Sequence, residues 1–117
     1  MISKITLKDE RLPSWPVSAL GATVVAGDPQ GAGRVVFETA DKVAFAGAWS
    51  CSPGSFDMSY AGDEVIYVLD GEATIAQTGG PDVHLQAGDF CYMPRGSQTR
   101  WTIHKTVRKV FFGRGGT

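Results

Sequence analysis

Turn-forming residues break this chain at short, regular intervals, and no other feature constrains its fold as much. Breaks fall at 27–33 (GDPQGAG), 52–54 (SPG), 61–63 (AGD), 78–82 (TGGPD), 87–89 (AGD) and 94–96 (PRG), a spacing of roughly 8 to 12 residues. The runs between them are VVF, VAFAGAWSC, EVIYVL, EATIAQ, DVHLQ, DFCYM, TRWTIH and VRKVFF, all rich in β-branched and aromatic residues. Such runs are too short for ordinary amphipathic helices and suit half-buried strands. The expectation is an all-β chain of about nine short strands closed into a barrel or stacked as a sandwich, because unpaired strand edges must be hidden. Residues before Gly33 are less regular: Leu12-Pro13-Ser14-Trp15-Pro16 reads as extended chain, since each proline biases its predecessor away from helix. This segment is expected to lie against the barrel as an N-terminal arm.

The charges are unevenly spread. All 12 Asp and Glu fall within residues 1–89, whereas residues 90–117 carry six basic residues (Arg95, Arg100, Lys105, Arg108, Lys109, Arg114) and no acid. In an antiparallel sheet, a basic strand beside acidic ones gains cross-strand pairing energy, so this block is expected to face acidic partners; an anion-binding face is the alternative. A formal net charge of -1 leaves no basis for a nucleic-acid coat. No apolar run approaches the roughly 20 residues of a membrane span, and the N-terminus lacks a secretory apolar core, so the expectation is a cytoplasmic protein with no membrane partner. Cys51 and Cys91 have neither disulfide-framework nor metal spacing and are expected to be reduced, partly buried thiols.

Alternation assigns a facing to the clearer strands. In Phe56-Asp57-Met58-Ser59-Tyr60 the apolar set turns Phe56, Met58 and Tyr60 inward. In Thr99-Arg100-Trp101-Thr102-Ile103-His104 it turns Thr99, Trp101 and Ile103 inward and His104 outward. The same rule applied to the run from Glu64 to Leu69 groups Glu64 with Ile66 and Val68, which places a carboxylate on an apolar face. His84 and His104, the two histidines of the chain, both alternate outward.

The stretch from about Val43 to Phe112 resembles the cupin superfamily, and in particular its small subfamily related to the cupin domain of ureidoglycine aminohydrolases. WSCSPGSFDMSY matches the subfamily's Trp, Pro-Gly and aromatic strand; GDEVIYVLDGEATI matches the end of the first cupin motif; AGDFCYMPRGSQTRW matches the second. Gly71 is expected to close a strand-to-strand turn and Gly96 another, after Pro94. The resemblance implies a cupin jelly-roll β-barrel, with residues 1–117 one domain, 1–33 its arm and edge strands, and 43–112 its barrel core. In metal-dependent members, two histidines of the first motif, its glutamate and a histidine of the second motif hold the metal. The first-motif pair maps here to Met58 and Tyr60 by the shorter family spacing or to Asp57 and Ser59 by the longer, neither with a histidine, and alternation favours Met58 and Tyr60. With Glu64 and Thr99 at the other two positions, only Glu64 of the favoured four keeps a ligating side chain, and no metal or other cofactor is expected. A weak set of Glu64 with Cys51 is the alternative.

Met58, Tyr60, Glu64, Thr99 and Trp101 are therefore expected to line one ligand cavity, with Met58 at its apolar end and Glu64 as candidate general acid or base. Arg95 and Arg100 are candidates to meet a ligand carboxylate at the mouth. Three functions stay open: a metal-poor cupin binding a small molecule, a metal-assisted hydrolase of ureides, and a non-catalytic regulatory or interaction domain with a filled barrel. A homodimer is expected, because EVIYVL and VRKVFF carry apolar side chains on both faces, and residues 2–8 could add a strand to the partner's sheet.

Overall fold

The computed structural model describes residues 1–7 and 11–115. Among the described residues, eight antiparallel strands carry the fold: β1 Thr23–Gly27, β2 Gly31–Glu38, β3 Ala44–Cys51, β4 Gly54–Ser59, β5 Gly62–Gln77, β6 Val83–Gln86, β7 Phe90–Met93 and β8 Gln98–Gly115. One 3-10 turn, Val17–Leu20, precedes β1. The chain is all-β, as the turn spacing predicts, and takes the jelly-roll form that the cupin resemblance implies.

Two strands differ from the sequence expectation. EVIYVL and EATIAQ form one 16-residue strand, and TRWTIH and VRKVFF one of 18 residues. The reason is that β5 and β8 pair along almost their whole length, from Gly62 opposite Gly115 to Gln77 opposite Thr99, so each run continues its neighbour's ladder. Gly71 closes no turn. It sits among the register shifts between Val68 and Ala73, with φ at 95°, and lets β5 bulge and bend. A Cβ there would drive into the Thr106 carbonyl oxygen across the ladder. Gly96, by contrast, lies in the connection after Pro94 as expected, with φ at 88°.

The bend gives the barrel its two halves. The first half of β8 pairs with β4 and with the end of β5, while its second half pairs with β3 and with the start of β5. β1 adds to β4, β2 to β3, β6 to the end of β5 and β7 to its start. Inward-facing residues of both halves meet in one core that includes Trp49, Phe56, Ile66, Val68, Trp101, Ile103 and Val107. The alternation reading of 56/58/60, 64/66/68 and 99/101/103 agrees with these facings.

The N-terminal segment lies along β2, with Trp15 N–H donating to Gly31 O at 2.9 Å and Gly33 N–H to Pro13 O at 2.9 Å. Residues 1–7 also return to their own chain: Ser3 Oγ donates to Val36 O, and Arg108 to the Leu7 carbonyl. The expected arm-to-partner strand thus has its described part on its own barrel; Lys8 lies outside the described residues.

Four of the five basic residues of β8 meet acids across the sheet, while Arg108 donates to the Leu7 carbonyl. Arg100 makes a two-point pair with Asp57 (2.7 and 3.0 Å), Lys105 pairs with Glu72 at 3.4 Å, Lys109 with Glu64 at 3.8 Å and Arg114 with Asp63 at 3.6 Å. For these four residues the charge block is cross-strand complementarity. Among the described residues no helix is long and apolar enough to cross a membrane.

Candidate functional site

A cavity of about 320 Å³ opens at one end of the barrel, with Trp15, Leu20, Phe45, Trp49, Met58 and Phe111 among its walls. Trp15 and Phe111 meet edge-on at 6.0 Å between centroids, and Phe45 tilts against Phe111 at the same separation. Four rigid rings, Trp15, Phe45, Trp49 and Phe111, thus form part of the wall. The exposed side chains of Glu38 and Lys42 stand at the rim, while Glu64 and Lys109 are the charged groups within.

Lys109 is the residue the sequence reading passed over. Its side chain is 7% exposed, and its Nζ lies 3.8 Å from Glu64 Oε2, whose side chain is 14% exposed. The ammonium also sits 5.1 Å from the Trp49 ring centroid and 4.9 Å from that of Trp101. Two indole faces and one carboxylate thus balance a buried cation. Burial pulls the Lys109 pKa below the ordinary lysine value, and the charge of Glu64 opposes that pull. The backbone explains the placement: Lys109 is opposite Trp49 on β3 and Val68 on β5, in phase with Val107 and Phe111, so it points inward. Extending that phase through VRKVFF would have found it, but apolar residues on both faces of the run obscure the alternation.

The expected site residues separate into three groups. Glu64 and Met58 line the cavity. Tyr60 and Trp101 are buried, with Trp101 Nε1 donating to the Tyr60 hydroxyl at 3.1 Å, and Tyr60 lines an adjoining cavity of about 160 Å³ together with Met58 and Glu64. Burial first, and then the nearby Glu64 charge, push the Tyr60 phenol above its usual pKa. Trp101 stacks on Phe56, nearly parallel at 8°, and touches the site through the Lys109 ammonium. Thr99 is not brought into this cavity: its hydroxyl donates to Met58 O at 2.8 Å, and it borders a separate open groove near Gln77 and Arg100. Arg100 is held outside by Asp57, and Arg95 is exposed.

The metal-dependent arrangement does not fit these side chains. A thioether, a phenol and a committed hydroxyl stand at the imidazole positions, and an ammonium already neutralises Glu64. Cys51 adds no usable thiolate, because burial raises its pKa to about 11. Among the described residues no group of three or more His, Cys, Asp or Glu could hold a metal ion. His84 and His104 lie on the outer face, where both rings hydrogen-bond to the Thr74 hydroxyl at 3.0 and 2.9 Å.

A family model described as a EutQ-like cupin domain matches residues 30–111. Among solved structures, the chain is similar to the EutQ protein of Clostridium difficile, at 18% identity and a TM-score of 0.74, over 97% of this chain and 87% of that one. It is similar to a predicted oxalate decarboxylase from Thermotoga maritima, at 17% identity and a TM-score of 0.67, over 98% and 99% of the two chains. Ectoine synthase from P. lautus aligns at 17% identity and a TM-score of 0.66, over 73% of this chain and 64% of that one. At such identities the likeness speaks for the fold alone. Comparison with curated proteins gives no match.

Proposed function

This chain belongs to the EutQ-like cupin domain family, and we propose that it binds a small organic molecule inside the barrel, with the ligand's apolar body against the aromatic wall and its polar end at Glu64 and Lys109. The observation that carries this reading is the buried ammonium at the cavity floor. Its nearest carboxylate oxygen, at 3.8 Å, is beyond hydrogen-bond reach. Lys109 and Glu64 both line the cavity, so a ligand there meets the two charged groups together. An apolar pocket with a few convergent polar groups is the usual make-up of a small-ligand site. Fold alone does not decide the chemistry, since one barrel hosts many reactions.

The ureide-hydrolase alternative requires a metal to activate water near neutral pH, and Met58, Tyr60 and Thr99 offer no donors that favour it. The filled-barrel alternative fits poorly with a cavity of about 320 Å³. Native mass spectrometry after incubation with a metabolite extract tests the binding reading. The expected result is a small-molecule adduct on the natural protein that is lost in Leu20→Trp, which fills the cavity. No adduct on the natural protein, or one equally strong on Leu20→Trp, would overturn it.

A further inference from the structure

The charges facing the cavity are balanced at two levels. Glu64 pairs with Lys109 at the floor, and the rim adds one formal charge of each sign, Glu38 and Lys42. The other titratable groups packed around Lys109 are Cys51 and Cys91, whose pKa values burial raises, with Tyr60 behind Glu64 shifted the same way. All three are neutral near pH 7. A ligand carrying net charge would therefore add an uncompensated charge to an apolar chamber, at a desolvation cost that a neutral one avoids.

The spacing of the pair gives a second constraint. Nζ and Oε2 are 3.8 Å apart, too far for a direct hydrogen bond and close enough for one compact group to bridge them. Within a cyclic amide, the carbonyl oxygen and the adjacent nitrogen are about 2.3 Å apart by ordinary bond lengths. Such a group can accept from Lys109 and donate to Glu64 at the same time, each at about 2.9 Å. The walls supply edges and faces of Trp15, Phe45, Trp49 and Phe111 for a flat body.

Resting on the binding reading above, we propose that the cavity selects neutral, planar ring compounds that carry a carbonyl oxygen next to an N–H or O–H, with Lys109 donating to the oxygen and Glu64 accepting from the adjacent donor. Lys109 thus supplies a fixed positive centre from the chain itself, beside the glutamate that the fold retains.

Titrations followed by tryptophan fluorescence, with 2-pyridone, N-methyl-2-pyridone, benzoate, benzylamine and toluene, test the proposal. At pH 7 2-pyridone is expected to bind at least tenfold more tightly than its N-methyl form, and more tightly than benzoate or benzylamine. In the double variant Glu64→Gln/Lys109→Met, which removes both charges while keeping similar volumes, the preference for 2-pyridone over N-methyl-2-pyridone should vanish while toluene still binds. Toluene binding to the natural protein without that preference would overturn the ligand class and leave the cavity reading standing. Tighter binding of benzoate, or a preference retained in the double variant, would overturn it as well. Failure of every probe, toluene included, would instead remove the binding reading beneath it.

Discussion

At the scale of single residues, Glu64 and Lys109 can be understood only together. A carboxylate on the inner face is legible from alternation, because Glu64 shares its phase with Ile66 and Val68. Its partner is not, since nothing local distinguishes an inward lysine in VRKVFF from a solvated one. Removing one member leaves the other charge buried without compensation, for which the expected loss is about 3 kcal/mol, the low end of the usual range because Glu64 keeps some exposure. Glu64→Gln should therefore destabilise the fold in chemical denaturation, and adding Lys109→Met should restore most of the loss; equal loss in the single and double variants would contradict the pairing. The same burial makes stability depend on pH. Because the folded Lys109 pKa lies below the unfolded one, near 10.4, the unfolded chain holds more protons between those two values. The stability of the natural protein relative to Lys109→Met should thus rise with pH until pH passes the unfolded value, and a flat or falling difference would contradict it. Cys51, fully buried and raised to about 11, should resist thiol reagents at pH 8 until the protein unfolds, whereas half-buried Cys91 reacts earlier.

At the scale of elements, the turn spacing located most strand boundaries but divided β5 and β8 into two strands each. Gly71 shows why. A glycine after Asp70 reads locally as a turn, and only the long ladder to β8, which no short window contains, keeps the chain extended through it. Two glycines with the same φ of 95° then differ in what surrounds them. Gly71→Ala would place a methyl group against the Thr106 carbonyl, while Gly88→Ala meets nothing within 4 Å. Backbone strain alone costs about 1 to 2 kcal/mol at either position. The additional clash should make Gly71→Ala the more damaging, by about 2 kcal/mol in an unfolding titration. Equal losses would show that β5 relaxes at the bulge without cost. The cavity's walls follow from similar long-range placement: Trp15 reaches the site because the extended N-terminal segment runs beside Gly31 and Gly33, a contact invisible in its own neighbourhood.

At the scale of the whole molecule, the inner faces of β5 and β8 build the cavity, and their outer faces raise the question of self-association. Tyr67 is opposite Phe90 and Val110, and Val65 is opposite Tyr92 and Phe112, so these six residues form one continuous outer patch across β7, β5 and β8. Tyr67, Phe90, Tyr92 and Phe112 are 42%, 75%, 57% and 46% exposed. With a whole aromatic side chain offering about 200 Å², they leave about 440 Å² of ring surface per copy open to water. Two copies face to face would bury about 900 Å² from these rings alone, and the valines and rim bring the total to the about 1,000 Å² that a specific interface needs. The pair of Arg114 with Asp63, to which Tyr92 also donates, borders the patch with polar groups. The homodimer expected from the sequence would use this face, with no exchange of the N-terminal segment, which bonds to its own barrel. Light scattering at tens of micromolar should accordingly give a dimer mass. Tyr67→Lys/Phe90→Glu should give a monomer that keeps its fold and its response to cavity ligands, because both substitutions lie on the outer face. A dimer that survives this double variant but dissociates when residues 1–7 are deleted would move the interface to the arm, and a natural protein that stays monomeric would remove it altogether.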